Sequence, residues 1–165
     1  MMEKIAFGGG CHWCTEAVFQ ALRGVEKVEQ GFVRSIPPAD NWSEAVIVHF
    51  DSTEIDLAIL IEVHVRTHSS TGNHSMRSKY RSAIYTLSES QAQAAKAQLT
   101  ALGPMFDGKL VTEVLPFEGF RASDERFQNY YAQNPERPFC KRYIDPKLDL
   151  IRQRFRSLEK TAQSR

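Results

Sequence analysis

The chain has 165 residues, 42% hydrophobic and 25% charged, with a formal net charge of +1. That length suits one domain with a full apolar core, and the balanced charge gives no reason to expect nucleic acid or an acidic membrane surface as partner. No apolar run approaches the roughly 18 residues of a spanning helix, and Met1-Met2-Glu3-Lys4 does not open a secretory signal, so no membrane is expected and the expected setting is cytoplasmic. Three cysteines make a poor disulfide framework. They point to cysteine chemistry rather than cysteine staples.

Residues 4–8 read as a first strand, whose Ile5-Ala6-Phe7 runs into Gly8-Gly9-Gly10. Glycines let the backbone turn tightly and leave amides uncovered. An amphipathic helix follows to Leu22, with Ala17, Val18, Ala21 and Leu22 on one face and Gly24 as its stop. Cys11 stands where that helix begins. The first amides of a helix lack partners and its dipole favours negative charge, so a thiol there is stabilised as the nucleophilic thiolate. Trp13 supplies an apolar wall beside the sulfur. Cys14 lies about one turn on, and a Cys-x-x-Cys pair at a helix start is a redox arrangement. Cys11-His12-Cys14 offers too few ligands for zinc and has no second Cys/His pair behind it, so no metal is expected.

Residues 25–33 read as a second strand and 44–50 as a third, in which Ala45, Ile47 and His49 alternate with Val46, Val48 and Phe50. Between them a loop carries Pro37-Pro38. Asp51-Ser52-Thr53 is read as the cap of a buried helix over 54–67. A polar loop, 68–79, precedes a strand at 82–86. Ser88-Glu89-Ser90-Gln91 matches a capping box and opens an Ala-rich helix ending near Gly103. A strand at 110–116, a short helix capped by Ser123 and ending at Tyr131, and a last helix over 146–158 complete the chain. The first six elements run β-α-β-β-α-β, the ferredoxin-like or split βαβ order. The expected fold is therefore α+β: a two-layer sandwich with helices on one face of a mixed, mainly antiparallel sheet, and a C-terminal helical extension.

Four blocks of sequence carry a resemblance. Gly10-Cys11-His12-Trp13-Cys14-Thr15-Glu16-Ala17 parallels a pattern beginning Gly-Cys-Phe-Trp. Glu44-Ala45-Val46 with Phe50-Asp51 parallels His-Ala-Glu-Ala-Val and an aromatic-Asp pair. Gly72-Asn73 with Tyr80-Arg81-Ser82-Ala83-Ile84-Tyr85 parallels Gly-Asn-Asp and Gln-Tyr-Arg-Ser-Ala-Ile-Tyr. Asn134-Pro135, Phe139-Cys140 and Ile144-Asp145-Pro146-Lys147 parallel Asn-Pro, Tyr-Cys and Ile-x-Pro-Lys. In shared order and spacing the chain resembles the A-type peptide methionine sulfoxide reductases, which reduce the S-epimer of methionine sulfoxide.

The resemblance implies roles. Cys11 matches the nucleophile on the sulfoxide sulfur, Glu44 the acid that protonates the departing oxygen, and Tyr80 a hydroxyl that binds that oxygen. Trp13, with His12 beside it, matches the pocket for the sulfoxide methyl. Cys140 matches a C-terminal cysteine that resolves the sulfenic acid as a disulfide, and Cys14 stands as the alternative resolving thiol. Residues 1–158 then form a single catalytic domain with 159–165 as a frayed tail. No cofactor is implied. The implied partners are thioredoxin or another dithiol and an oxidised protein, peptide or free methionine sulfoxide. The chain departs from the family at His12 in place of Phe, at Phe127 in place of His, and in a shortened stretch before Glu44 that lacks a second oxygen-binding tyrosine.

The chemistry asks for these parts. A sulfoxide oxygen leaves poorly as an anion, so it needs a proton donor and a soft nucleophile at sulfur. A glutamate in an apolar pocket stays protonated near neutral pH, and a tyrosine hydroxyl stabilises developing charge. The sulfenic acid condenses with a thiol, and an external dithiol regenerates the enzyme by exchange. Two rival readings share the residues: a dithiol oxidoreductase using Cys11 and Cys14, and a diverged homologue that binds methionine sulfoxide without turnover.

Overall fold

The computed structural model describes residues 1–72 and 79–160. Its six-stranded mixed sheet runs in the order β5-β4-β1-β3-β2-β6. The strands are β1 (Met2–Gly8), β2 (Val25–Arg34), β3 (Ser43–Asp51), β4 (Ala83–Thr86), β5 (Glu113–Pro116) and β6 (Gly119–Ala122). Neighbours are antiparallel except for the parallel pair β4 and β5. β3 runs against both β1 and β2, so those two strands, joined by α1 (His12–Gln20), point the same way.

Side chains alternate across a strand, which sends Ile5, Phe7, Val46, Val48, Phe50 and Ile84 into one cluster. There they meet α1, α2 (Leu57–Arg66), α3 (Glu89–Leu102) and α5 (Asp145–Arg154) through Val18, Phe19, Leu60, Ile61, Ala95, Leu148 and Ile151. The Phe7 and Phe19 rings stack at 4.7 Å, locking α1 onto β1. Each large apolar side chain fully buried contributes about 1.5–3 kcal/mol, so this helix-covered face dominates stability. The opposite face holds a smaller cluster of Ala6, Val33, Ala45, Ile47, Ala83 and Tyr85. Among the described residues, no helix is long and apolar enough to cross a membrane.

Several local expectations are corrected. Asp51 does not cap α2; its Oδ1 accepts from the Thr53 amide at 2.9 Å and the N-terminal amine at 2.8 Å, while Asp56 is the residue at the cap. Ser88 does cap α3, its Oγ accepting the Gln91 amide at 3.2 Å. The Gln91 carboxamide does not return to the Ser88 amide, however: it accepts from the Leu87 amide at 2.9 Å and donates to the Lys4 carbonyl at 2.8 Å, tying α3 to β1. Ser123 caps nothing, because its hydroxyl donates to Gln30 Oε1 at 2.6 Å. Asp124 opens a short 3-10 turn instead, and α4 (Tyr130–Gln133) follows separately.

The expected last helix, 146–158, is divided into α5 and a 3-10 turn over Arg156–Leu158, and a π-helical turn over Cys140–Ile144 runs directly into α5. β6 is a strand that periodicity does not reveal: four half-exposed residues become extended by pairing with β2. Gly24 lies beyond the end of α1, at φ 92° in the turn into β2, where a Cβ would meet Ile55 at 2.7 Å. Glu159 bridges Leu22, and the Lys160 amide donates to the Ala21 carbonyl at 2.8 Å, so the first residues of the expected tail are tied down. Residues 161–165 lie outside the described residues, as do Asn73, His74 and Met76.

Candidate active site

The turn at Gly8-Gly9-Gly10 is shaped by crowding from beneath. A Cβ at Gly9 would meet the His68 ring at 2.4 Å, and one at Gly8 would meet the Arg81 and Glu44 carbonyls at 3.0 Å. Only glycine permits this approach, and it delivers Cys11 as the N-cap of α1 with extended backbone, φ −61° and ψ 126°. The Cys11 carbonyl accepts the first helical bonds, from Cys14 at 3.1 Å and Thr15 at 3.3 Å. Its sulfur, partly exposed, closes no cap hydrogen bond, which leaves it available to a substrate.

Several groups bear on that sulfur. The Cys14 thiol is the strongest influence lowering the Cys11 pKa, aided by the amides of Trp13 and Cys14; burial and the charge of Glu44 push the other way, and the net shift is downward. Cys14 moves in the opposite direction and strongly, since its S–H donates to the Cys11 sulfur and burial disfavours its anion. Cys11 is therefore the more readily ionised of the two, and Cys14 the thiol that supports its anion. A cation stands close by: the Lys147 ammonium donates to the Thr67 carbonyl, and burial lowers its pKa while the two thiols of Cys14 and Cys11 raise it.

Glu44, at the start of β3, is buried, and its Oε1 accepts the His12 amide at 3.1 Å. The acid is thereby joined to the residue that follows the nucleophile. Its surroundings are more polar than the expected apolar pocket. His12 Nε2 lies 3.5 Å from Oε1, and Lys79 Nζ lies 3.6 Å from Oε2. His12 Nδ1 is 2.7 Å from the Gly31 carbonyl, so that nitrogen carries a hydrogen and Nε2 is the atom that titrates. Burial pushes the His12 pKa below the ordinary value, with Lys79 assisting and Glu44 opposing. Lys79 is raised, chiefly by the Tyr80 hydroxyl and then by Glu44, and its ammonium also sits 5.1 Å from the Tyr80 ring. Backbone bonds hold this edge in register: the Glu44 amide and the Ser43 hydroxyl both donate to the Lys79 carbonyl at 2.9 Å.

Trp13 forms the other wall. Its indole stacks on Tyr130 at 4.1 Å, with Phe139 edge-on at 5.3 Å and Phe127 tilted at 5.7 Å. This aromatic group is held by Glu16, fully buried one turn along α1. The Glu16 carboxylate accepts from the amides of Asn129 at 2.9 Å and Tyr130 at 3.1 Å and from Gln30 Nε2 at 2.9 Å. Asn129 is left-handed, φ 55°, which turns both amides toward that carboxylate.

Cys140 is buried in the same apolar cluster as Cys14 and begins the π-helical turn rather than lying in an open loop. Its thiol donates to the Asn134 carbonyl at 3.6 Å, burial raises its pKa, and its charge bears on Cys14. A cavity of about 990 Å³ lies behind α1, between β2 and the α4 segment, and neither Cys11 nor Glu44 lines it.

A family description, peptide methionine sulfoxide reductase, matches residues 3–159. The chain belongs to that family. A reductase of this family named MsrA, from Chromobacterium violaceum, is 36% identical over 173 residues, spanning 95% of this chain and 98% of the relative. The solved methionine sulfoxide reductase A of Corynebacterium diphtheriae is 28% identical, with a TM-score of 0.71 over 81% of this chain and 76% of that one. The fold is also that of Mxr1 from Saccharomyces cerevisiae, solved in complex with Trx2, at 19% identity and a TM-score of 0.62 over 78% of this chain and 84% of that one.

Against that family background, the structure links Cys11, His12, Glu44, Lys79 and Tyr80 through successive contacts, pairs Cys14 with Cys11, and packs Trp13 among Tyr130, Phe139 and Phe127. Cys140 sits deeper. Sequence reasoning missed Lys79, although it directly precedes Tyr80 where the family pattern has Gln. It also missed Glu16 and Lys147 as electrostatic parts, and the cage of Tyr130 and Phe139 around Trp13. Both Glu16 and Lys147 stood inside the quoted motifs, which was the available signal.

Proposed function

We propose that this member of the family reduces the S-epimer of methionine sulfoxide, in peptides, proteins or as the free amino acid, by thiol chemistry at Cys11. The observation that carries the reading is the thiol at the start of α1, its pKa lowered, with a buried carboxyl tied to the next residue's amide. The Cys11 thiolate attacks the sulfoxide sulfur and forms an S–S bond; the oxygen, bonded to the Tyr80 hydroxyl, takes one proton from Glu44 and one from solvent and leaves as water. Water then cleaves the S–S bond at the Cys11 sulfur, so that Cys11 ends as sulfenic acid, a proton returns to solvent, and the bonding electron pair stays on the methionine sulfur as the reduced thioether. Trp13 and its cage hold the methyl group, with His12 on the opposite side. His12 and Lys79 flank the carboxyl, and solvent returns its proton.

Cys14 then attacks the sulfenic sulfur, forming a disulfide and releasing water. Its raised pKa does not block this step, because the Cys11 anion that chiefly holds the proton on Cys14 disappears on oxidation. Cys140, packed in the same cluster, is next to receive the disulfide. Thioredoxin or another dithiol restores the thiols by exchange; the yeast protein of this fold was solved with Trx2. The setting is the cytoplasm, and residues 1–158 act as one catalytic unit. The order β4-β1-β3-β2, with β3 dividing the α1-linked pair, supports reading the core as a ferredoxin-like split βαβ sandwich.

The direct test mixes purified protein, an S-sulfoxide methionine derivative and dithiothreitol, and measures reduced product. Product formation that vanishes in Cys11→Ser is expected. A folded protein with an alkylatable Cys11 and no product would leave a sulfoxide-binding homologue instead. Glu44→Gln separates the dithiol reading: that reading requires the variant to keep its activity.

A further inference from the structure

Beside the sulfoxide site, the sheet carries two arginines that the reaction does not use. Phe32 of β2 is paired with Glu44 of β3 on one side and with Arg121 of β6 on the other. Directly paired residues share a sheet face, so Glu44, Phe32 and Arg121 form one row across three strands. With strands about 4.8 Å apart, the outer members stand about 10 Å from one another. The His12 ring rests edge-on against Phe32 at 5.2 Å, which makes Phe32 the boundary between the acid and the arginine.

Arg121 lies over two rings, Phe32 at 5.1 Å and Trp42 at 5.3 Å. Arg34, two residues along β2 and so on the same face, lies over the same Trp42 at 5.6 Å. The partner of Arg34 across the sheet is Gly119, where a Cβ would meet Arg34 Nε at 2.9 Å and the Trp42 ring at 3.5 Å. That position is bare where the arginine and the indole lie across it. Among the described residues neither guanidinium joins an ion pair. Two like charges thus share one indole with no ion-pair partner among the described residues. A guanidinium stacked on a ring still presents its edge N–H groups, in the fork that matches a carboxylate.

We propose that Arg34 and Arg121, held on Trp42, recognise a carboxylate on the substrate, so that the site favours methionine sulfoxide with an acid group close to the sulfoxide. This rests on the sulfoxide-reductase reading of the neighbouring site. The carboxylate has two sources: the free α-carboxylate of the amino acid or of a C-terminal residue, and an acidic side chain next to an internal methionine sulfoxide.

The test reads binding apart from turnover. Cys11→Ser protein is titrated with three S-sulfoxide ligands: N-acetyl-methionine sulfoxide, its neutral N-methylamide, and a capped peptide with Asp beside the sulfoxide. Tighter binding of a carboxylate ligand than of the neutral amide by about tenfold is expected, the scale of one charge-assisted hydrogen bond. Whether the acetylated amino acid or the Asp peptide shows it identifies the source. The preference falls as salt rises and drops to near unity in Arg34→Gln/Arg121→Gln, with the single Arg121→Gln variant as the milder form. A loss that lowers all ligands equally, keeping the ratio, is a structural effect and overturns the proposal, as does equal binding by the starting protein. Wild-type turnover is measured in parallel: failure to reduce any ligand would overturn the reductase reading, and the binding ratio would still decide the role of the arginines.

Discussion

Replacing Cys14 by alanine removes the thiol that most strongly lowers the Cys11 pKa and leaves the amides of the helix start in place. A hydrogen bond to a charged group contributes about 1.5–3 kcal/mol. A thiol is a weak donor, so the lower end applies: about 1.5 kcal/mol, roughly one pKa unit. Two effects oppose one another in the variant. The loss of the donor raises the Cys11 pKa, and the small gap left by the sulfur admits solvent that relieves some of the burial penalty. The first dominates because the donor is the largest influence on the sulfur and burial only the second. The assay is the rate of iodoacetamide alkylation against pH, compared between Cys140→Ser and Cys14→Ala/Cys140→Ser proteins so that Cys140 does not contribute. The midpoint is expected to move up by about one unit, and alkylation below it to slow about tenfold. A midpoint that stays or moves down would refute the assignment of Cys14 as support for the thiolate.

Glu16→Ala leaves the Asn129 and Tyr130 amides and the Gln30 carboxamide without their acceptor; it is expected to cost about 3 kcal/mol, read from urea unfolding, and to shift Trp13 fluorescence as the Tyr130 stack loosens. An unchanged unfolding midpoint would contradict the role given to that carboxylate. For His12, burial depresses the folded-state pKa below 6.5, so below that pH the unfolded chain takes up a proton the folded chain resists. Stability is full above 6.5 and falls as pH drops through the folded value, and His12→Phe should flatten the decline of melting temperature between about pH 7 and pH 5. Parallel curves for the two proteins would remove His12 from the pH response. Cys14→Ser should still reduce one equivalent of sulfoxide and then accumulate sulfenic acid that dimedone labels, while Cys140→Ser should not. The reverse pattern would assign the first resolving step to Cys140.

Local order in the chain determined a good deal. The triple glycine, the cysteine after it and the amphipathic run announced a cysteine at a helix start, because backbone turns and amides act within a few residues. The two-residue alternation in β3 announced a strand with two buried faces. The position of Glu44 beside the site was legible only through motif spacing and the resemblance it carries. Elements that depend on a partner were not legible. β6 is four residues whose extended form comes from pairing with the edge of β2, and Asp51 leaves its expected cap because the N-terminal amine reaches it from the first residue of the chain. The same holds for the chemistry. Only the packed sheet sets His12 and Lys79 on either side of one carboxyl, places Lys147 near two thiols from the far end of the chain, and lays Arg34 and Arg121 on one indole. Charge and hydrogen bonding act through space over a few ångströms, and sequence distance says little about which groups folding will bring that close.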